Sequence, residues 1–171
     1  MPKRKYFIEK AAGLFVVDKN TKKVIIIKST GGNYGFPKGH REREDKSILD
    51  TAIRETMEEV GIKVKKSDIL KNKYFTTDFY FFRKKTKHPK ERPLGWIKKN
   101  LVMYIALIDS KKHKIKIQEE ELNSAKFIKF EKIQPLIEKT EISKYGKVGA
   151  ISKKIINMSK QVYRTIQKIE L

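Results

Sequence analysis

At 171 residues the chain suits one domain with a decorated end, and the absence of cysteine excludes disulfides, a thiolate zinc site and a cysteine nucleophile. Hydrophobic residues make up 39% and aromatics 10%, enough for a real core, and no apolar run approaches a membrane span. Lys and Arg total 41 against 20 acids, a net charge of +21 that favours polyanionic partners such as nucleotides, RNA or polyphosphate.

The lysines are spread rather than clustered, so charge alone does not establish RNA binding. The N-terminal MPKRKYFIEK is basic but lacks the apolar core of a signal peptide, so an intracellular, cytoplasmic protein is expected, with no membrane partner. Ile8 to Val17 reads as a strand, with Ala11, Ala12 and Gly13 allowing close backbone approach. Asp18 to Asn20 is a turn, and Lys23 to Lys28 a second strand. Ser29 to Tyr34 is a glycine-rich loop, weak evidence of phosphate binding by itself. Gly35-Phe36-Pro37-Lys38-Gly39-His40 follows.

Ser47 is placed to cap a helix, with Asp50 three residues on completing a capping-box-like pair. On that helix Leu49, Ala52, Ile53, Met57 and Val60 recur at spacings of three and four, which predicts the buried face. Glu55, Glu58 and Glu59 are expected off that stripe, converging on one small volume. Like charges at those spacings destabilise a helix. A hard divalent cation, which takes carboxylate oxygens, offsets the repulsion. Gly61 ends the helix where a left-handed residue is wanted.

The run RETMEEVGI from Arg54 to Ile62, with Gly39 and Asp45 ahead of it, resembles the Nudix box, GX5EX7REUXEEXGU. Asp45 stands for the first glutamate, one residue further from Arg54 than in the pattern, and Thr56 replaces a bulky aliphatic. The GFPKGH sequence is similar to the diadenosine tetraphosphate hydrolase branch and, less closely, to mRNA decapping enzymes. The resemblance implies an α/β (α+β) fold, a Nudix α/β/α sandwich with a mixed central sheet, over residues 1–145. Residues 146–171 are then a C-terminal amphipathic helix packed on it, with Ile151, Ile155, Met158, Val162, Ile166 and Ile169 on one face.

Tyr74 to Phe82 is strongly β-prone and Asn100 to Ile108 a buried strand, so Arg83 to Lys99 is expected as a long basic loop. His88 and His113 read as exposed loop histidines without a role. Lys126 to Phe130 is a short strand and Lys132 to Lys139 a short helix. The family often supplies one more carboxylate just before a strand carrying an aromatic. Phe127 holds that place, which selects Glu121, with Glu120 second.

The resemblance therefore implies Mg²⁺ (or Mn²⁺) held by Glu55, Glu58, Glu59, Glu121 and the Gly39 carbonyl. Glu55 or Glu121 is the general base. Arg54 orients a glutamate, and Lys38 meets a phosphate as a point charge. Tyr34, Phe79 and Tyr80 are the candidates for stacking on a base, although one of the last two must face the core, since strand residues alternate. The expected activity is hydrolysis of a phosphoanhydride in a nucleoside diphosphate linked to another moiety, with dinucleoside polyphosphates ahead of RNA 5′ ends. A catalytically silent nucleotide- or RNA-binding module is the alternative of another class.

Overall fold

Every residue of Phe7–Asp18 from Ala11 onward is buried, because this strand, β1, is covered on both faces. The computed structural model describes residues 5–86 and 92–169. His88 lies outside them. The strands that follow are β2 (Val24–Ser29), β3 (Tyr34–Gly35), β4 (Lys38–His40), β5 (Ile69–Arg83), β6 (Gly95–Ile108) and β7 (Leu122–Ile128). They form one sheet in the order β3-β2-β1-β6-β5, with β4 pairing β1 and β7 pairing β2. β1 runs parallel to β6 from Phe7↔Ile97 to Asp18↔Ile108, and β5 and β6 form an antiparallel hairpin. The sheet is therefore mixed, as the sequence resemblance implies.

Alternation along β1 builds two cores. Ala12, Leu14 and Val16 pack with Ala52 and Val60 of helix α1 (Ile48–Val60), together with Ile25, Ile27 and Ala106. Ala11, Phe15 and Val17 face the other way. They meet Ile133 and Ile137 of α2 (Ile133–Tyr145) and Ile155, Met158, Val162 and Ile166 of α3 (Ala150–Gln167). Helices thus lie on both faces of the sheet. Among the described residues no helix is long and apolar enough to cross a membrane.

Several expected boundaries move. The expected basic loop is shorter at both ends, because β5 continues through Arg83 and β6 begins at Gly95, so Lys99 is a strand residue. In α3 Ile151 is exposed, while Ile156 and the small Ser152 and Ser159 are buried. His113 is half-buried at the end of a 3₁₀ turn rather than exposed.

Ser47 caps α1 as expected, its Oγ accepting the Asp50 N–H at 3.1 Å. Gly61 closes it at φ +70°, its N–H donating to Met57 O at 3.0 Å. The buried stripe of α1 differs from the expected one. It contains Thr51, Ala52, Thr56, Glu59 and Val60, while Met57 is 49% exposed and Leu49 and Ile53 are half-buried. Thr56 tolerates burial because its hydroxyl donates to Ala52 O at 2.8 Å.

Candidate active site

The rotation of α1 carries Glu59 inward, to 6% exposure. Its Oε2 accepts the backbone N–H of Lys38 at 3.0 Å, which joins the helix to β4. Burial, with repulsion from Glu55 and Glu121, pushes the Glu59 carboxyl up to about 7, against the pull of Lys38. Burial likewise pushes Glu55 up, against Arg54 and with repulsion from Glu58 and Glu121. Glu55 sits directly behind β4, because Gly39 pairs with Ala12 and so faces α1. A Cβ on Gly39 would drive into the Glu55 carboxylate, so glycine is required there for close approach.

Glu58 lies elsewhere. Its side chain is half in solvent and accepts from Arg54 Nη1 at 2.8 Å. Arg54 Nη1 also donates to Glu55 Oε1 at 3.0 Å, and Nη2 to the His40 carbonyl at 2.8 Å. Among the described residues no three acids or histidines converge on one point. The structure thus brings Glu55 and Glu59 together and leaves Glu58 drawn aside by Arg54. Glu121 is exposed on a segment anchored to the end of α1, where Lys116 N donates to Val60 O at 2.9 Å and Gln118 N to Glu59 O at 3.1 Å.

Asp45 compensates for its unusual spacing. It is buried, and its two oxygens accept from Arg54 Nε and Nη2, each at 3.0 Å. Thr51 Oγ1 and the Glu42 N–H add bonds at 2.9 Å. The Arg54 guanidinium holds the Asp45 carboxyl at about 2. The extra residue is absorbed in the loop before the helix, and Asp45 acts by holding Arg54 in place.

On the far side of β4 lies a cluster that the sequence reading missed. Glu9 and Lys99 are register partners on the face opposite α1. Glu9 forms a two-pronged pair with Arg83, whose Nη2 donates to Oε2 at 2.9 Å. That pair holds the Glu9 carboxyl at about 2. Burial, helped by Lys99 and Arg92, drives His40 down to about 4. His40 is therefore neutral near pH 7, and its Nε2–H donates to Glu9 Oε2 at 3.0 Å. Burial also pushes the Lys99 ammonium down to about 8, with repulsion from Lys38. Lys38 and Lys99 thus lie close enough to repel each other, Lys38 drawn toward Glu59 and Lys99 toward Glu9. Lys99 shares its strand face with Leu101, Met103 and Ile105, a period-two signal hidden once the residue is read as loop.

The aromatic candidates divide. Phe79 is buried in the core, where Lys154 Nζ lies 5.5 Å from its ring centroid. It is therefore a core residue in this arrangement rather than an open stacking surface. Tyr80 is exposed on the opposite face. Tyr34 is half-buried on β3, with Lys28 Nζ 5.5 Å from its ring centroid.

The donor set fits a hard divalent cation. Two carboxylates raised chiefly by burial, with the Gly39 backbone packed against Glu55, offer the oxygen ligands Mg²⁺ takes.

The NUDIX domain family matches residues 8–146 of the chain. "Putative hydrolase 111R" of Invertebrate iridescent virus 3 is 34% identical over 83 residues, 48% of each protein. The chain thus spans about half the length of that curated relative. Among solved structures, the Caenorhabditis elegans Ap4A hydrolase in a binary complex aligns with a TM-score of 0.62 at 17% identity, covering 92% of this chain and 98% of that one. The MutT protein of Methanosarcina mazei Go1 aligns at 0.60 and 12% identity, covering 98% and 100%. At such identities the two structures share the fold.

Proposed function

The chain belongs to the NUDIX domain family, and on that premise we propose that it hydrolyses a phosphoanhydride in a nucleoside diphosphate linked to another moiety, with dinucleoside polyphosphates as the leading substrates. One observation carries the reading: Glu55 and Glu59 lie together behind β4, Glu59 bonded to the Lys38 N–H and Glu55 packed against Gly39, and burial outweighs Arg54 and Lys38 in pushing both carboxyls up. The fold shared with the Ap4A hydrolase and the GFPKGH sequence favour the dinucleotide class.

Glu55, Glu58, Glu59, Glu121 and the Gly39 carbonyl are the residues that would hold Mg²⁺. Bound there, the ion would neutralise phosphate charge and lower the pKa of a coordinated water. Arg54, fixed by Asp45 and the His40 carbonyl, positions Glu55 and Glu58. Lys38 and Lys99 supply positive charge for the phosphate chain. Glu55 or Glu121 takes the proton of the attacking water as its oxygen bonds to phosphorus and the bridging P–O bond breaks.

The test is a screen for nucleotide products by chromatography over nucleoside polyphosphates, dinucleoside polyphosphates, sugar nucleotides, and triphosphorylated and capped RNA, with and without Mg²⁺. Mg²⁺-dependent cleavage of diadenosine tetraphosphate above the rest is expected. Cleavage of triphosphorylated or capped RNA alone would transfer the assignment to RNA 5′ ends. No Mg²⁺-dependent release from any of them would overturn it.

A further inference from the structure

One face of the sheet is left open beyond α1. The helix packs on β1, β4 and β6 through Ala12, Leu14, Val16 and Ala106, so the first residues of β1 and β6 and the last of β5 extend past it. Their even-numbered positions share this face, and the register sets them in rows. Ile8 pairs with Lys98, and Lys98 with Tyr80. Trp96 pairs with Phe82 in the next row.

These side chains are apolar and wet. Ile8 is 58% exposed, Tyr80 55% and Phe82 49%. The rings are also held in place. Tyr6 meets Tyr80 edge-on with centroids 5.5 Å apart, and Phe82 meets Trp96 at 5.2 Å and 68°. Lys98 Nζ lies 5.7 Å from the Tyr80 centroid and pairs with Asp78 at 3.1 Å. Rings already ordered lose little further freedom when a flat partner lands on them.

Charge surrounds the patch on one side. Ile8 and Lys10 also line a cleft of about 720 Å³ whose other walls include His40, Arg41, Arg43 and Arg92. Glu42 and Glu44 belong to the same wall, and Glu9 is already paired with Arg83. Exposed aromatics beside a cationic cleft, in a chain of net charge +21, complement a polyanion that carries flat, unpaired bases. Single-stranded nucleic acid has that chemistry, whereas a duplex hides its base faces and a lipid surface has none.

We propose that the open ends of β1, β6 and β5 are a platform for single-stranded RNA, with bases stacking on Tyr80 and Phe82 and phosphates running into the cleft of Lys10, Arg41, Arg43 and Arg92. The platform uses neither Glu55 nor Glu59, although its cleft adjoins Arg54 through His40 and Glu42, and it stands whether or not the chain hydrolyses an anhydride.

The experiment is fluorescence anisotropy of the full chain with a labelled twelve-nucleotide oligouridylate bearing a 5′-hydroxyl, without divalent ions. The probe has no anhydride, so binding is read apart from turnover. Tyr80→Ala and Phe82→Ala are each expected to weaken binding about tenfold, within the range for loss of one base stack. Arg41→Gln and Arg43→Gln should each flatten the dependence of log affinity on log salt by about 0.7. Unchanged melting temperatures would confirm intact folds, since both aromatics are half in solvent. Equal binding by the parent and both aromatic variants would overturn the proposal, leaving only diffuse electrostatics. So would equal affinity for a duplex of the same length, or loss in those variants of a concentration-dependent dimer seen by sedimentation, which would make the patch a contact between copies.

Discussion

Two glutamates, each more than nine-tenths buried or nearly so, have opposite fates in this molecule. Glu9, 9% exposed, is held at about 2, whereas Glu59, 6% exposed, is pushed up to about 7. Burial raises both. The difference is the partner: Glu9 has the two-pronged Arg83 guanidinium and a donating His40, while Glu59 has the N–H and the charge of Lys38, opposed by two carboxylates nearby. The first cluster is electrostatically closed. In the second, burial and the neighbouring carboxylates outweigh Lys38, and the cluster lies where the family box concentrates its acids. Burial of a carboxylate alone therefore does not mark a reactive site; burial without compensation does.

Breaking the open cluster should have the largest effect. Glu59→Gln keeps the shape of the side chain and removes the charge, and turnover is expected to fall about 10³-fold, roughly 4 kcal/mol of barrier. Full Mg²⁺-dependent turnover by that variant would sink the assignment. Breaking the closed cluster should be read in stability instead. Arg83→Ala leaves Glu9 buried with only His40, and about 3 kcal/mol of unfolding free energy should be lost, measurable by urea titration. A loss below 1 kcal/mol would show that water reaches Glu9 and that the pair is not closed.

Which parts of this contrast were legible in the sequence follows from range. The acids of α1, Gly39 and Glu121 are carried by a local pattern, and the helix with its Ser47 and Gly61 caps could be read directly. The Glu9–Arg83 pair joins residues 74 apart, and only the parallel register of β1 with β6 and the β5–β6 hairpin brings it together. Asp45 was visible as a departure in spacing, but its bond to Arg54 depends on how the preceding loop folds. Phe79 and Tyr80 had to face opposite sides. Which one was buried depended on β5 extending through Arg83 and on α3 covering one side.

The same contrast predicts pH slopes of opposite sign. The Glu59 carboxyl is raised from 4.5 to about 7 on folding, so the folded state holds its proton over that interval and the unfolded state does not. Its contribution to stability without metal should therefore fall as pH rises from 4.5 to about 7, by roughly 2 kcal/mol after allowance for relaxation around the group, while His40, lowered from 6.5 to about 4, adds an opposing rise over much of that interval. Glu9 is lowered from 4.5 to about 2, so its contribution is complete above 4.5 and is lost as pH falls toward 2. Because His40 and Glu55 are shifted in both proteins, the Glu59 limb is read as the urea stability of the parent minus that of Glu59→Gln, which should fall from pH 4.5 to about 7. A difference that stays flat over that interval would show that Glu59 is not raised on folding. Mg²⁺ should flatten the limb in the parent, since a bound cation favours the ionised carboxylate.

The smallest expected effect concerns the rotation of α1, on which the contrast rests. Two residues along a helix turn it by about 200°, so Met57 and Glu59 cannot both point into the sheet. The spacing of Leu49, Ile53 and Met57 predicts Met57 inside. The structure buries Glu59 and leaves Met57 49% exposed. A buried methionine truncated or made polar costs about 2–5 kcal/mol, whereas an exposed position shifts stability by less than about 0.5 kcal/mol. Met57→Gln, which keeps length and helix propensity, is expected to fall in the second range by urea titration. A loss above 2 kcal/mol would mean that the helix is turned the other way. Glu59 would then face water, its raised pKa would have no cause, and the difference from Glu9 would be only one of exposure.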